Sequence, residues 1–412
     1  MKTKKIAFLF LTGLCCLTTG FSQITGQWRG ENRNGIYHGI NLMDHWPESG
    51  PLMLWSVENI GNGYSSPVVS GDKVIVNGEI NGTGFIYAFN LQGKLLWKTP
   101  YGLEYPVNDT SSEQFPGPRS TPTIAGDQIY FCSGLGKMYC FDIQNGTEDW
   151  TIDLVSEFDG LIPEAGFSES LLIDGDIIYC YPGGTEKNVA AINRFTGKTI
   201  WTARAMRDSA SFCSPVLINL PQRKVLVNFT SRYVSGLDAG TGELLCWQKL
   251  NNLKYNIQYS SPSYDGENIY YVSALNGYAI KLQLSEDGKH IKEIWHTGNT
   301  RSGLHSPVKV NDVLYYSDDR QKIRGIDVNS GKVVDSLRVF RGPVLVADNM
   351  LFCYSENGTV SLIKFEDSKM DLVSSFKIEK GTREHLTLPF IDKGVMYIRH
   401  GDALMAYDIS ND

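Results

Sequence analysis

Nine side chains stand out as able to do chemistry: Tyr64, Arg119, Glu169, Tyr259, Arg301, His305, Arg341, Arg383 and His385. Most stand at or just ahead of a recurring Ser-Pro dipeptide or a degenerate copy of it, and Arg301 and Arg383 lie in the segments leading to two of the copies. Arginine forks match planar oxyanions such as carboxylates and sulfates, and aromatic rings offer flat stacking surfaces. Together they suit a ligand with acidic groups and a ring, such as an acidic glycan or a quinone carboxylate. The simpler reading is that the arginines are solvated or pair with Glu169, Asp318 and Asp319.

Other chemistries find less support. His305-Ser306 places a base beside a hydroxyl, but Ser306 belongs to the repeated dipeptide and has a structural job in most copies. Glycoside hydrolysis needs two carboxylates, and only Glu169 stands out beside the repeats. His38 with His45, and His290 with His296, lack the further ligands a metal requires and read as surface residues. No Cys-x-x-Cys or Cys/His spacing and no Gly-x4-Gly-Lys-Ser/Thr loop occurs. No residue is therefore assigned a catalytic or metal-binding role. Beyond Cys15 and Cys16 there are six cysteines. These read as small buried apolar groups, with Cys132 and Cys140, sharing one predicted hairpin, as the single natural bridge candidate.

The elements that position these residues follow from the repeat. Taking the proline position of each copy gives 67, 122, 171, 215, 262, 307, 343 and 389. Self-similarity at this period marks a propeller or solenoid. Each unit has an apolar strand from Ser-Pro, a Gly-Asp-type turn, an alternating second strand and a Gly-containing hairpin to a third strand. A tight turn then leads to a fourth strand ending in tryptophan. Four short antiparallel strands make one blade, so the expected fold is all-β, an eight-bladed β-propeller. The last turn is the most regular: Asn90 to Trp97, Asp142 to Trp150, Asn193 to Trp201 and Asp238 to Trp247, with Trp295 behind an altered turn. Its Asp or Asn is expected to close onto the amides ahead, its glycine to take positive φ, and each tryptophan to dock on the next blade. Units six and seven lack the tryptophan, with Asp335 and Phe376 near its place.

Unit eight lacks a fourth strand, and Pro51-Leu-Met-Leu-Trp55 is a fourth strand with no preceding three. Ring closure by residues 51–55 follows, which removes exposed sheet edges. The expected organisation is a signal peptide over 1–22, an N-terminal wrap over 23–50 and the propeller over 51–412. The link from Pro100 to Pro118 is the longest between units, and long loops in compact folds are disproportionately functional.

The chain has 412 residues, 42% hydrophobic and 20% charged, with net charge −7. That balance argues against a nucleic-acid surface. Lys2, Lys4 and Lys5 ahead of the apolar stretch Ile6 to Leu17, then Gly20-Phe-Ser22, read as a secretory signal peptide cleaved before Gln23. The apolar run is too short to span a membrane, and no later segment is transmembrane. The expectation is an exported, monomeric protein, periplasmic or extracellular, whose partners are other envelope proteins or an acidic small molecule or glycan.

The Asp/Asn-x-x-Thr-Gly-Lys-x-x-Trp turns, repeated with Ser-Pro strand starts, resemble the quinoprotein-like (PQQ-like) β-propeller repeat over roughly residues 26–408. The opening Gln27-Trp-Arg-Gly-x-Asn-Arg-x-Gly35 and Pro118-Arg-Ser-Thr-Pro122 look like a secreted bacterial branch of that superfamily. The resemblance implies that residues just before each inner strand line one mouth of a central channel. Hairpins on the same face then add Lys187, Arg232, Arg320 and Arg399 as rim charges. It also implies two functional classes. One is a binding or scaffolding module; the other is a PQQ-dependent oxidoreductase of alcohols or sugars that uses Ca2+. For the enzyme, the adjacent-cysteine disulfide of many alcohol-oxidising members has no counterpart except Cys15-Cys16 in the signal peptide.

Overall fold

The computed structural model describes residues 24–38, 41–105, 115–164, 166–251 and 253–411; the expected signal peptide lies outside them. Eight antiparallel sheets form the eight blades of a propeller. The inner strands are Val68–Ser70, Thr123–Ala125, Leu172–Asp174, Val216–Asn219, Ser263–Asp265, Val308–Val310, Val344–Ala347 and Phe390–Asp392. Each starts one residue after the proline position of its sequence repeat. The second and third strands of every blade are sandwiched between neighbouring blades, so both faces are buried. This is why Val74-Ile-Val76 and Ile86-Tyr-Ala-Phe89 are apolar throughout rather than alternating. Blade 8 is completed by Leu52–Val57, antiparallel to Ala403–Asp408 with Leu52 opposite Asp408 and Val57 opposite Leu404. The ring therefore closes through the N-terminal strand.

Closure is held by Arg399, fully buried in the second strand of blade 8. Its guanidinium donates to Ser65 Oγ at 2.8 Å and to the carbonyls of Asn77, Gly61 (3.0 Å) and Gly401 (2.8 Å), tying blade 8 to blade 1. Expected as a rim charge, it is instead an internal clasp. Burial of a guanidinium with only neutral partners pushes its pKa down to about 10.

The last turn closes as anticipated in blades 1 to 4 and 6: Asp142 Oδ1 accepts from the amides of Gln144 and Asn145 at 2.8 and 2.9 Å, and the side chains of Asn90, Asn193, Asp238 and Asp327 likewise accept amides of their own turns. The tryptophans dock through two contacts. Indole Nε1 of Trp55, Trp97, Trp150, Trp201 and Trp295 donates to a carbonyl of the following blade, that of Leu91, Ile143, Arg194, Ala239 and Val328. The ring also covers that blade's turn glycine. At Gly93, Gly146, Gly197, Gly242 and Gly331 a Cβ would lie 2.5–3.1 Å from the indole, so glycine is required there by packing as well as by positive φ.

Trp247 is the exception and a correction to the sequence pattern. The docking tryptophans face the third-strand residue just ahead of a bulge, as Trp201 faces Ala191. In blade 4 that register belongs to Cys246, opposite Gly236. One extra residue turns Trp247 to the other face, where it is 52% exposed. In blade 6 Asp335 holds the register and accepts the Met370 amide at 2.7 Å. In blade 7 the register residue is Ser374, not Phe376, and its hydroxyl accepts the amide of Trp46. Trp46, 1% exposed, packs on Phe352 and Phe376, so an indole from the N-terminal segment covers this part of blade 7.

Residues 24–38 run inside the ring. Ile24–Gly26 pairs antiparallel with the inner strand of blade 2, and Ile36–Tyr37 pairs parallel with that of blade 7. Between them Arg33 donates to the carbonyls of Ser170 and Leu171 in blade 3, and Arg29 donates to that of Pro307 in blade 6. The Tyr37 hydroxyl reaches the carbonyl of Pro389 in blade 8. The segment is thus a plug bonded to inner strands around the channel, with Trp28 and Arg29 at its tip. All six described cysteines are buried and free. Among the described residues no helix is long and apolar enough to cross a membrane.

Candidate functional site

The residue ahead of each proline position builds the channel wall. The Ser66 amide donates to Thr121 Oγ1 of the next blade, Thr121 to Ser170 Oγ, Ser170 to Ser214 Oγ, Ser214 to Ser261 Oγ and Ser261 to Ser306 Oγ, at 2.8 to 3.1 Å. Each hydroxyl satisfies the amide of the preceding blade, which neither strand ladder reaches. The hydroxyl belt spans blades 1 to 6. It stops at blades 7 and 8, where Gly342 and Leu388 hold the position and Val344, Leu386 and Leu388 present apolar surface. Above the belt and below the mouth is a chamber of about 110 Å³, with Trp28 and Arg29 of the plug among its lining residues.

Tyr64, Arg119, Tyr259 and His305 line this chamber together with Ser168 and Phe212. Phe212 and Tyr259 stack at 4.8 Å between ring centroids. The Tyr64 ring packs edge-on against Phe115, and its hydroxyl donates to Glu384. Arg119 lies 5.9 Å from the Tyr64 and Tyr105 ring centroids and donates from Nη2 to the Phe115 carbonyl, while Nη1 has no partner. Burial lowers its pKa, partly opposed by Tyr64 and Glu104. Arg29, 2% exposed, is bonded only to backbone carbonyls and its Nε has no partner; burial pushes it down to about 9.

The remaining candidates, Glu169, Arg301, Arg341, Arg383 and His385, are not brought into this group. His305 is neutral: burial, then the charge of Arg341, push it down to about 3. Its Nε2 lies 3.9 Å from Glu356 Oε1, and neither atom has a hydrogen-bond partner. Arg341 is occupied, donating from Nε to Glu356 Oε2 at 2.6 Å. Arg301 is exposed and pairs with Asp319 at 3.5 Å. Asp318 is buried and held by Arg324 and by the amides of Arg320 and Lys322. Arg383 is exposed, and its carbonyl accepts from His400 Nε2. His385 lies between Tyr354, whose hydroxyl is 2.6 Å from Nδ1, and the stacked ring of His400; burial and then His400 push it down to about 4. Glu169 is turned into the blade rather than the mouth: it is 7% exposed, its Oε2 accepts the Tyr181 amide at 3.1 Å, and burial pushes its pKa up to about 8. Of the hairpin charges, Arg232 pairs with buried Asp208, and Lys187 donates to the Glu157 carbonyl.

Trp28, Arg29 and Glu356 were not anticipated at the site. The Gln27-Trp-Arg-Gly stretch was visible in the sequence, but nothing in it specifies insertion into the channel.

A family model described as outer membrane protein assembly factor BamB matches residues 52–168 and 163–337. The fold is shared with the crystal structure of BamB from Moraxella catarrhalis, at a TM-score of 0.61 and 12% identity over 87% of this chain and 99% of that one. A computationally designed protein, Ika8, aligns at 0.61 and 12% over 87% of this chain and 100% of its own. The quinohemoprotein alcohol dehydrogenase from Comamonas testosteroni aligns at 0.52 and 11%, over 93% and 79%. These identities carry the fold alone. No curated protein sequence matches.

Proposed function

Because this chain belongs to the family of outer membrane protein assembly factor BamB, we propose that it is an exported binding scaffold, periplasmic or extracellular, whose working face is the channel mouth. Its partners there are another envelope protein or an acidic small molecule or glycan. The observation that carries this reading is the plugged channel. With residues 24–38 bonded to inner strands, the channel is a shallow, cationic and aromatic cup. Such a surface suits docking more than enclosed chemistry.

The quinone and Ca2+ implied by the PQQ-like resemblance do not fit the residues present. A chamber of about 110 Å³ is well below the roughly 300 Å³ at which small-molecule pockets begin. Among the described residues no group of three or more His, Cys, Asp or Glu converges as a metal site.

Photo-crosslinking tests the reading. A crosslinking side chain at Arg301 or Arg383, both exposed at the mouth, is compared with one at Asp127 or Lys393 in the turns at the opposite end. Incubation with envelope extract is expected to give discrete adducts from the mouth positions. Adducts only from the opposite end, or none, would sink the proposal. Addition of pyrroloquinoline quinone with Ca2+ is expected to leave the melting temperature unchanged.

A further inference from the structure

His400 has an acceptor at each ring nitrogen. Nδ1 lies 2.7 Å from the Lys380 carbonyl oxygen, and Nε2 lies 2.7 Å from that of Arg383. A backbone carbonyl cannot donate, so each contact needs an N–H on the ring. Neutral imidazole carries one N–H and imidazolium carries two. The pair of contacts is therefore complete only when His400 is positively charged. Removing either proton leaves a nitrogen lone pair facing a carbonyl oxygen. The ring is 7% exposed, so water has little access to replace the lost bond.

The segment that carries both carbonyls needs holding. It joins the outer strand of blade 7, Lys369–Lys377, to the inner strand of blade 8, Phe390–Asp392. Arg383 stands there at φ 73°, a left-handed conformation that non-glycine residues adopt at a cost. Gly381 packs so closely on the neighbouring strand that a Cβ would collide with the His400 carbonyl oxygen. The same segment exposes Arg383 and Glu384 at the mouth, where Glu384 accepts from the Tyr64 hydroxyl of blade 1.

The surrounding charges do not take the place of the two carbonyls. The His385 ring stacks on His400 at 3.5 Å between centroids, and its Nδ1 is 2.6 Å from the Tyr354 hydroxyl. Burial and then His400 push His385 down to about 4, so it is neutral near pH 6. Lys380 pairs with Glu58 of the closing strand at 2.7 Å, while Glu379, Arg383 and Glu384 are exposed. Lys377 of blade 7 donates to the Asn357 carbonyl. Beside His400 in sequence, Asp402 accepts from Thr382 Oγ1 at 2.8 Å, and Arg399 is turned into the seam with blade 1. Burial opposes a charge on His400, but charge-assisted hydrogen bonds are about twice as strong as neutral ones. We propose that His400 is a proton-dependent clamp: as imidazolium it ties residues 380 and 383 together and fixes Arg383 and Glu384 at the mouth, and as neutral imidazole it releases them. The two acceptors exist only in the folded protein and favour the protonated ring there. The clamp therefore contributes fully below about pH 6.5, where the unfolded chain's histidine is protonated as well, and is lost as pH rises and His400 gives up its proton.

Side-chain nitrogen NMR of the whole chain tests this, because imidazolium and each neutral tautomer differ in their nitrogen shifts. At pH 6 His400 is expected to carry protons on both nitrogens while the stacked His385 carries one. Loss of the signal in His400→Gln assigns it. Should that variant fail to fold, the shift that His385→Gln imposes on the stacked ring assigns it instead, and the protonation state decides alone. Amide hydrogen exchange over residues 380–385, corrected for base catalysis, is then compared at pH 6 and pH 8.5. In the wild type it should rise about tenfold, the equivalent of one lost hydrogen bond. In His400→Gln it should be fast already at pH 6 and lack that rise. A neutral His400 at pH 6, or a rise of equal size in His400→Gln, overturns the proposal. Neither readout needs a partner, so failure of the scaffold reading leaves the clamp standing, and failure of the clamp leaves the scaffold reading to its own test.

Discussion

Glu169→Gln should make the protein more stable in alkali and leave it little changed in acid. Glu169 is buried; one oxygen accepts the Tyr181 amide and the other has no partner. Burial raises its pKa from 4.5 to about 8, against smaller opposing pulls from that amide and Arg33. The folded state therefore holds a proton that the unfolded chain releases. The protonated carboxyl's contribution is complete below pH 4.5, declines as pH rises toward 8, and is gone above it. At about 1.4 kcal/mol per pH unit, the wild type loses on the order of 5 kcal/mol across that window, a large part of a typical 5–15 kcal/mol stability. Glutamine keeps an acceptor for Tyr181 and does not titrate. Its extra N–H costs about 1 kcal/mol at pH 5 if it stays unpaired. Chemical denaturation of both proteins at pH 5, 7 and 9 reads the difference directly. It should move in favour of the variant by several kcal/mol between pH 5 and pH 9. A difference that stays constant over this range would refute the assignment of a buried, protonated carboxyl.

Three further outcomes follow from the packing. Trp201→Ala should lose about 3–5 kcal/mol, since its indole covers Gly242 and donates to the Ala239 carbonyl, whereas Trp247→Ala, at an exposed position, should stay within about 0.5 kcal/mol; equal losses in urea denaturation would contradict the register argument. Arg399→Met should cost about 3 kcal/mol or more by leaving the carbonyls of Gly61, Asn77 and Gly401 unpaired at the ring seam, and hydrogen exchange should increase first in blades 1 and 8; exchange that rises uniformly around the ring would argue against a clasp. Ser261→Ala removes the acceptor of the Ser214 amide and should lower stability by about 1–3 kcal/mol, an effect absent from the same change at exposed Ser156.

The fold was legible because its signals are local and repeated. A Ser-Pro start, a turn Asp or Asn with glycine, and an apolar strand pair each follow from short-range backbone and burial rules, and eight copies reinforce one another. Closure by the strand at residues 51–55 was legible by counting, since one unit lacked the strand that another segment supplied. Trp247 shows where such reading fails. Its turn looked like its neighbours', but one additional residue before the tryptophan reverses the face of a period-two strand, and only the paired register reveals it. The same limit applies to rim charges. Arg399 and Arg119 occupy similar loop-side positions in sequence, yet one is locked into a seam and the other retains an unpartnered nitrogen beside a chamber.

The sequence by itself determined the number of blades, the start of every inner strand and the turn chemistry, because those depend on neighbours along the chain. Four of the nine candidate residues, Tyr64, Arg119, Tyr259 and His305, do meet at one chamber, since the position before each inner strand is geometrically equivalent from blade to blade. Tertiary structure alone decided that residues 24–38 enter the channel, that Arg29 forms part of the chamber wall, and that Glu169 points into the blade. The first two depend on contacts between residues more than a hundred positions apart, as in Arg29 with Pro307 and Arg33 with Ser170. No local propensity encodes such pairs; they are fixed by which buried donors and acceptors the closed ring leaves to be satisfied.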